Sequence, residues 1–272
     1  MTRAADWIVT DLDGTLVERD GTIVEPSRAA LRRFMDAGGT VVIATGRGEE
    51  SALPYYRALD PGTPAILYNG ARVVDLGTGD VLHRRTLGAA AWTKLADGFG
   101  DLPGGVWPVP FSGGRAHARP ADVAAAPALR DYARRDGLGL RPVASWDELP
   151  PADVIKVMLI CDGPELMDAA ERAVTRTVSG VTLVRSEANY LEVLPEGSSK
   201  GAALRELAAA RGVPLERVAA IGDNPNDLDM IRAAGLGAAV GDAAEAVRAA
   251  ADVVVGTCAD GGVADLVARV LP

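Results

Sequence analysis

Short runs of apolar residues, without the alternation of a half-exposed strand, recur at both ends of the chain. The N-terminal runs span residues 7–10, 40–44 and 65–68, and each is followed by polar or glycine residues. Between the first two, a helix is predicted from Pro26, with Leu31, Phe34 and Met35 on one face and Gly38 at its end. Non-alternating runs are typical of parallel strands that are covered on both faces.

The same alternation of strand and helix returns near the C-terminus. The pattern predicts helices over Lys200–Arg211 and Asp227–Ala234, and strands over Val218–Ile221, Gly237–Val240 and Val253–Val255. Repeated β–α units of this kind favour an α/β fold with an open, doubly wound parallel sheet, as in Rossmann-like domains.

The middle of the chain differs from both ends. Between about residues 80 and 190 proline and glycine are dense, and the clearest elements are a strand over Val154–Cys161 and a helix over Pro164–Thr177. We therefore predict a discontinuous core domain formed by residues 1–80 and 190–272. Residues 81–189 are predicted to form a second α/β domain inserted into it.

The first apolar run ends in two carboxylates, Asp11 and Asp13, within the run DLDGT. Side chains two residues apart on an extended backbone point to the same side. Burying two carboxylates together is costly unless a cation or a proton compensates their charge. A pair of this kind also occurs at ordinary strand ends, so its meaning depends on the residues at the ends of the other strands.

Polar residues stand at the ends of the other predicted strands as well. Ligand sites of open α/β sheets lie beyond the carboxyl ends of the strands. Each of these groups alone is compatible with an ordinary turn or helix cap, but together the carboxylates suit Mg²⁺ and the donors suit a phosphoryl group. We therefore predict a metal-assisted phosphoryl-transfer site formed by Asp11, Asp13, Thr45, Gly46, Lys200, Asp223, Asn226 and Asp227.

Composition narrows the choice of partners and compartment. The chain has 28 basic and 37 acidic residues, a net charge of −9, so we expect neither nucleic acid nor an anionic membrane as a partner. No apolar run approaches the roughly 18 residues that span a bilayer, and no signal segment is recognisable. The two cysteines are distant from each other, and we expect reduced thiols in a cytoplasmic protein. The oligomeric state stays open.

Four motifs together resemble those of haloacid dehalogenase superfamily phosphatases, specifically the Cof-like subgroup with a type C2B α/β cap. They are DLDGTL at 11–16, ATGR at 44–47, SSKG at 198–201 and GDNPNDLDM at 222–230. YNGA at 68–71 and the segment LEVLPEGSSKG at 191–201 also resemble this subgroup. The resemblance extends over nearly the whole chain, and the inserted domain is its least family-like part.

The resemblance implies a mechanism. Asp11 would attack phosphorus and form an aspartyl-phosphate, and Asp13 would protonate the leaving group and then activate water. Mg²⁺ would be bound by Asp11, the Asp13 carbonyl, Asp223 and, directly or through water, Asp227. Thr45, the Gly46 amide and Lys200 would hold the phosphoryl oxygens. Asn226 would position Lys200 or the acidic residues, and Arg47 and Asn69 are candidates for orienting the substrate.

Several functional interpretations stay open. A phosphomutase can use the same core, and a receiver-type signalling module shares an acceptor aspartate, Mg²⁺, a threonine and a lysine. The expected substrate is a small phosphate monoester: a sugar phosphate, a phosphorylated cofactor or nucleotide, or a phosphoglycerate-type ester. The basic residues of the middle segment are expected to be mostly solvated surface groups; they include Arg84, Arg85, Arg115, Arg119 and Lys156.

Overall fold

A computed structural model describes residues 4–271; residues 1–3 and 272, which the predicted core includes, lie outside the described part. The chain divides into two compact units. Among the described residues, the core unit consists of residues 4–47, Ala52–Arg84 and residues 199–271, and the inserted unit consists of Gly48–Ser51 and Arg85–Ser198.

The described residues contain fourteen strands and ten α-helices, numbered here in chain order. The strands are β1 (Trp7–Thr10), β2 (Thr40–Ile43), β3 (Ala65–Leu67), β4 (Arg72–Val74), β5 (Val81–Arg84), β6 (Val106–Ser112), β7 (Arg115–Ala118), β8 (Arg141–Pro142), β9 (Val154–Cys161), β10 (Val181–Glu187), β11 (Tyr190–Pro195), β12 (Val218–Gly222), β13 (Leu236–Ala239) and β14 (Val253–Val254). The helices are α1 (Glu25–Asp36), α2 (Glu49–Leu59), α3 (Ala89–Gly98), α4 (Pro120–Ala125), α5 (Pro127–Arg135), α6 (Met167–Thr177), α7 (Lys200–Ala210), α8 (Leu228–Ala233), α9 (Glu245–Ala250) and α10 (Gly262–Val270).

The core unit is built on a parallel sheet in the order β14-β13-β12-β1-β2. β1 is the fourth strand of this order, between β12 and β2, and all four of its residues are buried. β3, β4 and β5 form a separate antiparallel sheet, which a single parallel bridge from Ala44 to Ile66 connects to the end of β2. The α/β fold with a parallel core sheet is therefore confirmed. Because the strands are parallel, the carboxyl ends of β1, β2 and β12 lie at one edge.

Helix α1 shows how the sequence pattern produces the packing. Its apolar face buries Leu31 and Phe34 completely, which stabilises the fold by roughly 1.5–3 kcal/mol for each side chain. The helix ends before Gly38, whose φ of +80° favours glycine. A Cβ on Gly39 would lie only 2.4 Å from the Phe34 ring, so the tight exit into β2 also requires a glycine.

The inserted unit has a six-stranded sheet in the order β10-β11-β9-β6-β7-β8, in which only the β7–β8 pair is parallel. Side chains of α3 and α6 pack with one face of this sheet in a common apolar cluster. Lys156 on β9 differs from the surface position expected for it, because it is buried and donates a 2.7 Å hydrogen bond to Glu192 on β11. A buried cation needs such a partner.

The unit boundaries differ from the predicted limits at residues 80 and 190. β5 pairs with β4, so the core unit continues to Arg84. β11 pairs with β9, so the inserted unit continues to Ser198. Strand pairing, which local composition does not reveal, sets both limits. Among the described residues, no helix combines the length and the apolar character needed to cross a bilayer.

Candidate active site

Asp11 follows the last residue of β1 and is almost completely buried. Its N–H group donates to the carbonyl oxygen of Ile221 on β12, which continues the parallel ladder past the end of β1. The chain then turns tightly at Gly14, which has a φ of +78°. A Cβ on Gly14 would lie 2.5 Å from the Asp223 carboxylate. This glycine therefore allows the loop after β1 to approach the loop after β12.

Three carboxylates converge at this edge of the core sheet. One oxygen from each of Asp11, Asp223 and Asp227 lies within 4.8 Å of the others. Asp223 directly follows β12, whereas Asp227 ends the short turn that leads into α8. The strand-end pattern of the sequence anticipated this cluster, because carboxyl ends of neighbouring parallel strands share an edge.

Lys200 enters the same cluster from the first residue of α7. Its Nζ donates to Asp11 Oδ1 at 2.7 Å and to Asp227 Oδ1 at 2.6 Å, and the side chain is 1% exposed. The Ser199 Oγ accepts from the Ala202 N–H and caps the helix. Gly201 lets α7 approach α8 closely, since a Cβ there would lie 2.5 Å from the backbone of Asp229. These two features fix where the ammonium group lies.

The charges of this cluster do not balance. Burial, with the Asp227 carboxylate adding to it, raises the pKa of Asp11 well above its usual range. Burial and the same neighbour raise the pKa of Asp223 to about 7. Burial alone would lower the pKa of Lys200, but Asp11 and Asp227 outweigh it and raise that pKa. Three carboxylates facing one ammonium leave negative charge uncompensated, and carboxylate oxygens are the ligands that hard divalent cations prefer. The residues therefore fit a divalent metal ion.

Asp227 differs from the other two carboxylates because its oxygens already accept three hydrogen bonds. Its Oδ2 accepts the backbone N–H groups of Asp223 (3.0 Å) and Asn224 (3.1 Å), and its Oδ1 accepts Lys200. Asp227 thus holds both the loop after β12 and the lysine. This arrangement favours an indirect role for Asp227 toward a metal.

Two residues that sequence reasoning did not single out hold Asp223. The Thr15 hydroxyl donates to Asp223 Oδ1 at 3.1 Å, and the Asn224 side-chain amide donates to Asp223 Oδ2 at 2.8 Å. Both residues lie inside motifs that the sequence analysis had marked. The closeness of Thr15 and Asn224 in sequence to Asp11 and Asp223 could have indicated a role at the site. Which atoms they bind depends on how the loops after β1 and β12 meet.

A chain of hydrogen bonds surrounds Thr45, which follows β2 closely and is fully buried. The Asn69 N–H donates to the Thr45 carbonyl oxygen at 3.0 Å. Asn226 Nδ2 donates to Asn69 Oδ1 at 2.9 Å, so Asn226 positions Asn69. Within the described part of the chain, no hydrogen bond joins Asn226 to Lys200. The Asn69 Nδ2 atom is buried and has no hydrogen-bond partner, which leaves a donor for a bound ligand.

Asn69 reaches this position through a strained turn. Tyr68 and Asn69 both have a φ of 51°, and Gly70 has a φ of 91°. A Cβ on Gly70 would lie 2.1 Å from the Ser199 carbonyl oxygen. The turn after β3 is therefore packed against the beginning of α7, beside Lys200. Left-handed conformations at non-glycine residues often mark functional sites.

Arg47 and Asp13 form a bidentate ion pair. Arg47 Nε donates to Asp13 Oδ2 at 2.8 Å, and Nη2 donates to Asp13 Oδ1 at 2.7 Å. The Arg47 guanidinium also lies over the Tyr55 ring, 4.9 Å from its centroid. Asp13 therefore does not join the three-carboxylate cluster through its side chain, although only Leu12 separates it from Asp11.

We expect the metal-free protein to lose stability between pH 5 and pH 8. The pKa values of Asp11 and Asp223 are raised in the folded state, so across this range the folded chain binds more protons than the unfolded chain. Stability therefore falls as pH rises through about 7, the pKa of Asp223. Mg²⁺ should raise the unfolding temperature more at pH 8 than at pH 5, because it stabilises the ionised carboxylates.

Thermal unfolding followed by circular dichroism, in EDTA and in Mg²⁺ at both pH values, checks this prediction. An equal effect of Mg²⁺ at the two pH values would contradict it.

Comparison with known proteins assigns the chain to a family. The family model for haloacid dehalogenase-like hydrolases matches residues 8–109 and 130–267. The chain belongs to this family. It is 31% identical over 250 residues to YxeH of Bacillus subtilis, with 90% of each chain covered. It is 29% identical over 269 residues to the pyridoxal phosphate phosphatase YbhA of Escherichia coli, with 92% of each chain covered.

A solved structure extends the agreement to the whole fold. The haloacid dehalogenase-like hydrolase from Bacteroides thetaiotaomicron superposes with a TM-score of 0.87 at 27% identity, covering 98% of this chain and 100% of its own. The identification as a Cof-like haloacid dehalogenase phosphatase is thereby confirmed. The enzyme class expected from the motifs, a phosphatase, agrees with the family and with the named relatives. An acidic cluster suited to a metal ion lies where the motifs predicted it.

Proposed function

We propose that the protein is a Mg²⁺-dependent phosphohydrolase that cleaves a small phosphate monoester through an aspartyl-phosphate on Asp11. The observation that carries this proposal is the buried cluster at the end of β1. Asp11 is bound to Lys200 and surrounded by Asp223 and Asp227, while Asp13 lies two residues away. A nucleophile, a cationic orienting group and a candidate acid thus lie within one loop region of the core unit.

In the first step, the Asp11 carboxylate attacks phosphorus. The new O–P bond forms as the ester P–O bond breaks, and the bonding electrons leave with the alkoxide. Lys200 orients the nucleophile through Oδ1, and its positive charge opposes the burial that raises the pKa of Asp11. Asp13 gives its proton to the leaving oxygen, a contribution of the order of 10²–10⁴ in rate.

In the second step, Asp13 takes a proton from water as the water oxygen attacks phosphorus. The acyl-phosphate O–P bond breaks, the Asp11 carboxylate is regenerated, and inorganic phosphate leaves. The same residue acts as acid and then as base, so the two steps restore the enzyme to its starting protonation state.

The metal would be held by Asp11, the Asp13 carbonyl oxygen and Asp223, with Asp227 acting through water. When bound, Mg²⁺ would reduce the repulsion between the anionic nucleophile and the anionic phosphoryl group. Thr15 and Asn224 hold Asp223 ready for this role. Asp227 holds Lys200 and the loop that carries Asp223 in place, since its oxygens already bind Lys200 and two backbone N–H groups.

The phosphoryl oxygens would be bound by the Thr45 hydroxyl, the Gly46 amide and Lys200. The unpaired Asn69 Nδ2 adds a further donor, and Asn226 positions it. The named activity of the relative YbhA places pyridoxal phosphate in the set of esters to be tested. Sugar phosphates, nucleotides such as FMN and phosphoglycerate-type esters complete that set. Two free, buried cysteines fit the reducing cytoplasm as the compartment.

Phosphate release from these esters, measured with Mg²⁺ and with EDTA, tests the proposal. We expect release from at least one ester with Mg²⁺ and none with EDTA. A phosphomutase would instead yield an isomeric phosphate ester without free phosphate. A receiver-type module would keep a long-lived phosphoryl group on Asp11. Either result, or release that EDTA does not affect, would contradict the proposal.

A further inference from the structure

The ion pair between Arg47 and Asp13 conflicts with the role proposed for Asp13. The guanidinium fork binds both carboxylate oxygens of Asp13. While the guanidinium occupies both oxygens, neither of them is directed at an ester. Asp13 must therefore leave Arg47 before it can protonate a leaving group.

The two partners differ sharply in exposure. The Asp13 side chain is 52% exposed, whereas the Arg47 side chain is 10% exposed. A released Asp13 is hydrated at low cost, whereas Arg47 is enclosed and stacked on the Tyr55 ring. Arg47 is thus the fixed member of the pair and Asp13 the movable one.

Arg47 is also tied to the residues that would bind the phosphoryl group. Its N–H donates to the Thr45 hydroxyl at 3.1 Å, and its carbonyl oxygen accepts the N–H of Tyr68, the residue before Asn69. The backbone of Arg47 is therefore hydrogen-bonded both to the Thr45 side chain and to the residue before Asn69, so the guanidinium starts close to these two residues. Its planar fork matches two oxygens of a phosphoryl group as well as it matches a carboxylate.

We propose that Arg47 exchanges Asp13 for the phosphoryl group of the substrate, so that substrate binding itself releases Asp13 to act as the acid. This inference rests on the proposed function. It narrows the substrate class to phosphate monoesters in their dianionic form, because a singly charged diester offers Arg47 a weaker replacement for the Asp13 carboxylate. Tyr55 is then a positioning residue, which keeps the guanidinium in place during the exchange.

A crystal structure of the wild-type protein with Mg²⁺ and orthovanadate tests the exchange directly. We expect Arg47 within hydrogen-bond distance of a vanadate oxygen and Asp13 detached from the guanidinium. Vanadate bound beside Asp11 with the Arg47–Asp13 pair intact would overturn the exchange and leave the proposed function standing. Absence of vanadate from Asp11 at saturating concentration would overturn the proposed function and the exchange together.

Steady-state kinetics supply a second test in solution. If Arg47 binds the phosphoryl group, R47A should raise KM about tenfold or more. R47K should restore part of the affinity, because lysine keeps the positive charge but lacks the bidentate fork of arginine. If Arg47 only holds Asp13, R47A should lower kcat and leave KM unchanged, which would overturn the exchange.

Variants of Tyr55 separate the positioning role from general damage. Loss of the cation–π contact in Y55L should raise KM about two- to fivefold. Y55F keeps the ring and should recover most of that loss. The exchange would be contradicted on this point if Y55F and Y55L had equal KM values, since the ring face would then not position Arg47.

Discussion

Replacing Asp11 with asparagine lowers the rate of phosphate release by at least about 10⁴-fold, the size of effect seen when a covalent nucleophile is removed. The asparagine Oδ1 can still accept the hydrogen bond from Lys200, so the site keeps its shape. The lost function is the anionic attack on phosphorus. The measurement is the turnover of the best ester at saturating Mg²⁺, compared with the wild type in the same preparation.

Stability provides the internal control for this variant. Asp11 is a buried carboxylate whose pKa is raised by burial and by Asp227, so its removal relieves unfavourable charge. The metal-free D11N protein should therefore unfold at a temperature equal to or above that of the wild type at pH 8. A folded D11N protein that retains turnover within about tenfold of the wild type would show that Asp11 is not the nucleophile.

Replacing Lys200 with methionine should be the most disruptive of these changes to stability, and it should also lower activity. It leaves Asp11, Asp223 and Asp227 buried without their ammonium partner. Breaking a buried ion pair in this way costs about 3–5 kcal/mol. The cost should be smaller at pH 5 than at pH 8, because the carboxylates can then take up protons. Turnover should fall by about 10² to 10⁴-fold, since the orienting charge on the nucleophile is lost.

The same variant should bind Mg²⁺ more tightly than the wild type even though its turnover is lower. Lys200 competes with a metal for the carboxylates, because it donates to one oxygen of Asp11 and one of Asp227. Mg²⁺ should therefore raise the unfolding temperature of K200M more than that of the wild type. K156M is the matched control, because it removes a buried lysine paired with Glu192 in the inserted unit and should leave the Mg²⁺ effect unchanged. An equal effect of Mg²⁺ on K200M and on the wild type would contradict this account.

The sequence predicted the core sheet and the residues at its edge for a simple reason. Non-alternating apolar runs require cover on both faces, and their polar ends must then meet at one side. Asp11 and Asp223 meet because each directly follows one of two neighbouring strands, and the turn after Asp223 brings Asp227 to them. Lys200 was expected at the same edge because it opens the predicted helix over Lys200–Arg211.

The side-chain pairings of the site were not predictable in the same way. Arg47 binds Asp13, Asn226 binds Asn69, and Thr15 binds Asp223, and each contact joins two loops. Such contacts depend on loop paths that periodicity does not describe. The limits of the inserted unit differ from the predicted ones for a related reason, since the pairing of β5 with β4 and of β11 with β9 is a long-range property.

The stereochemical course at phosphorus tests the central claim most directly. A phosphorothioate ester made chiral with oxygen isotopes would be hydrolysed in isotopically labelled water, and the configuration of the released thiophosphate determined. Two in-line displacements, first by Asp11 and then by water, predict overall retention of configuration. Inversion would show that water attacks the ester directly and would contradict a covalent role for Asp11.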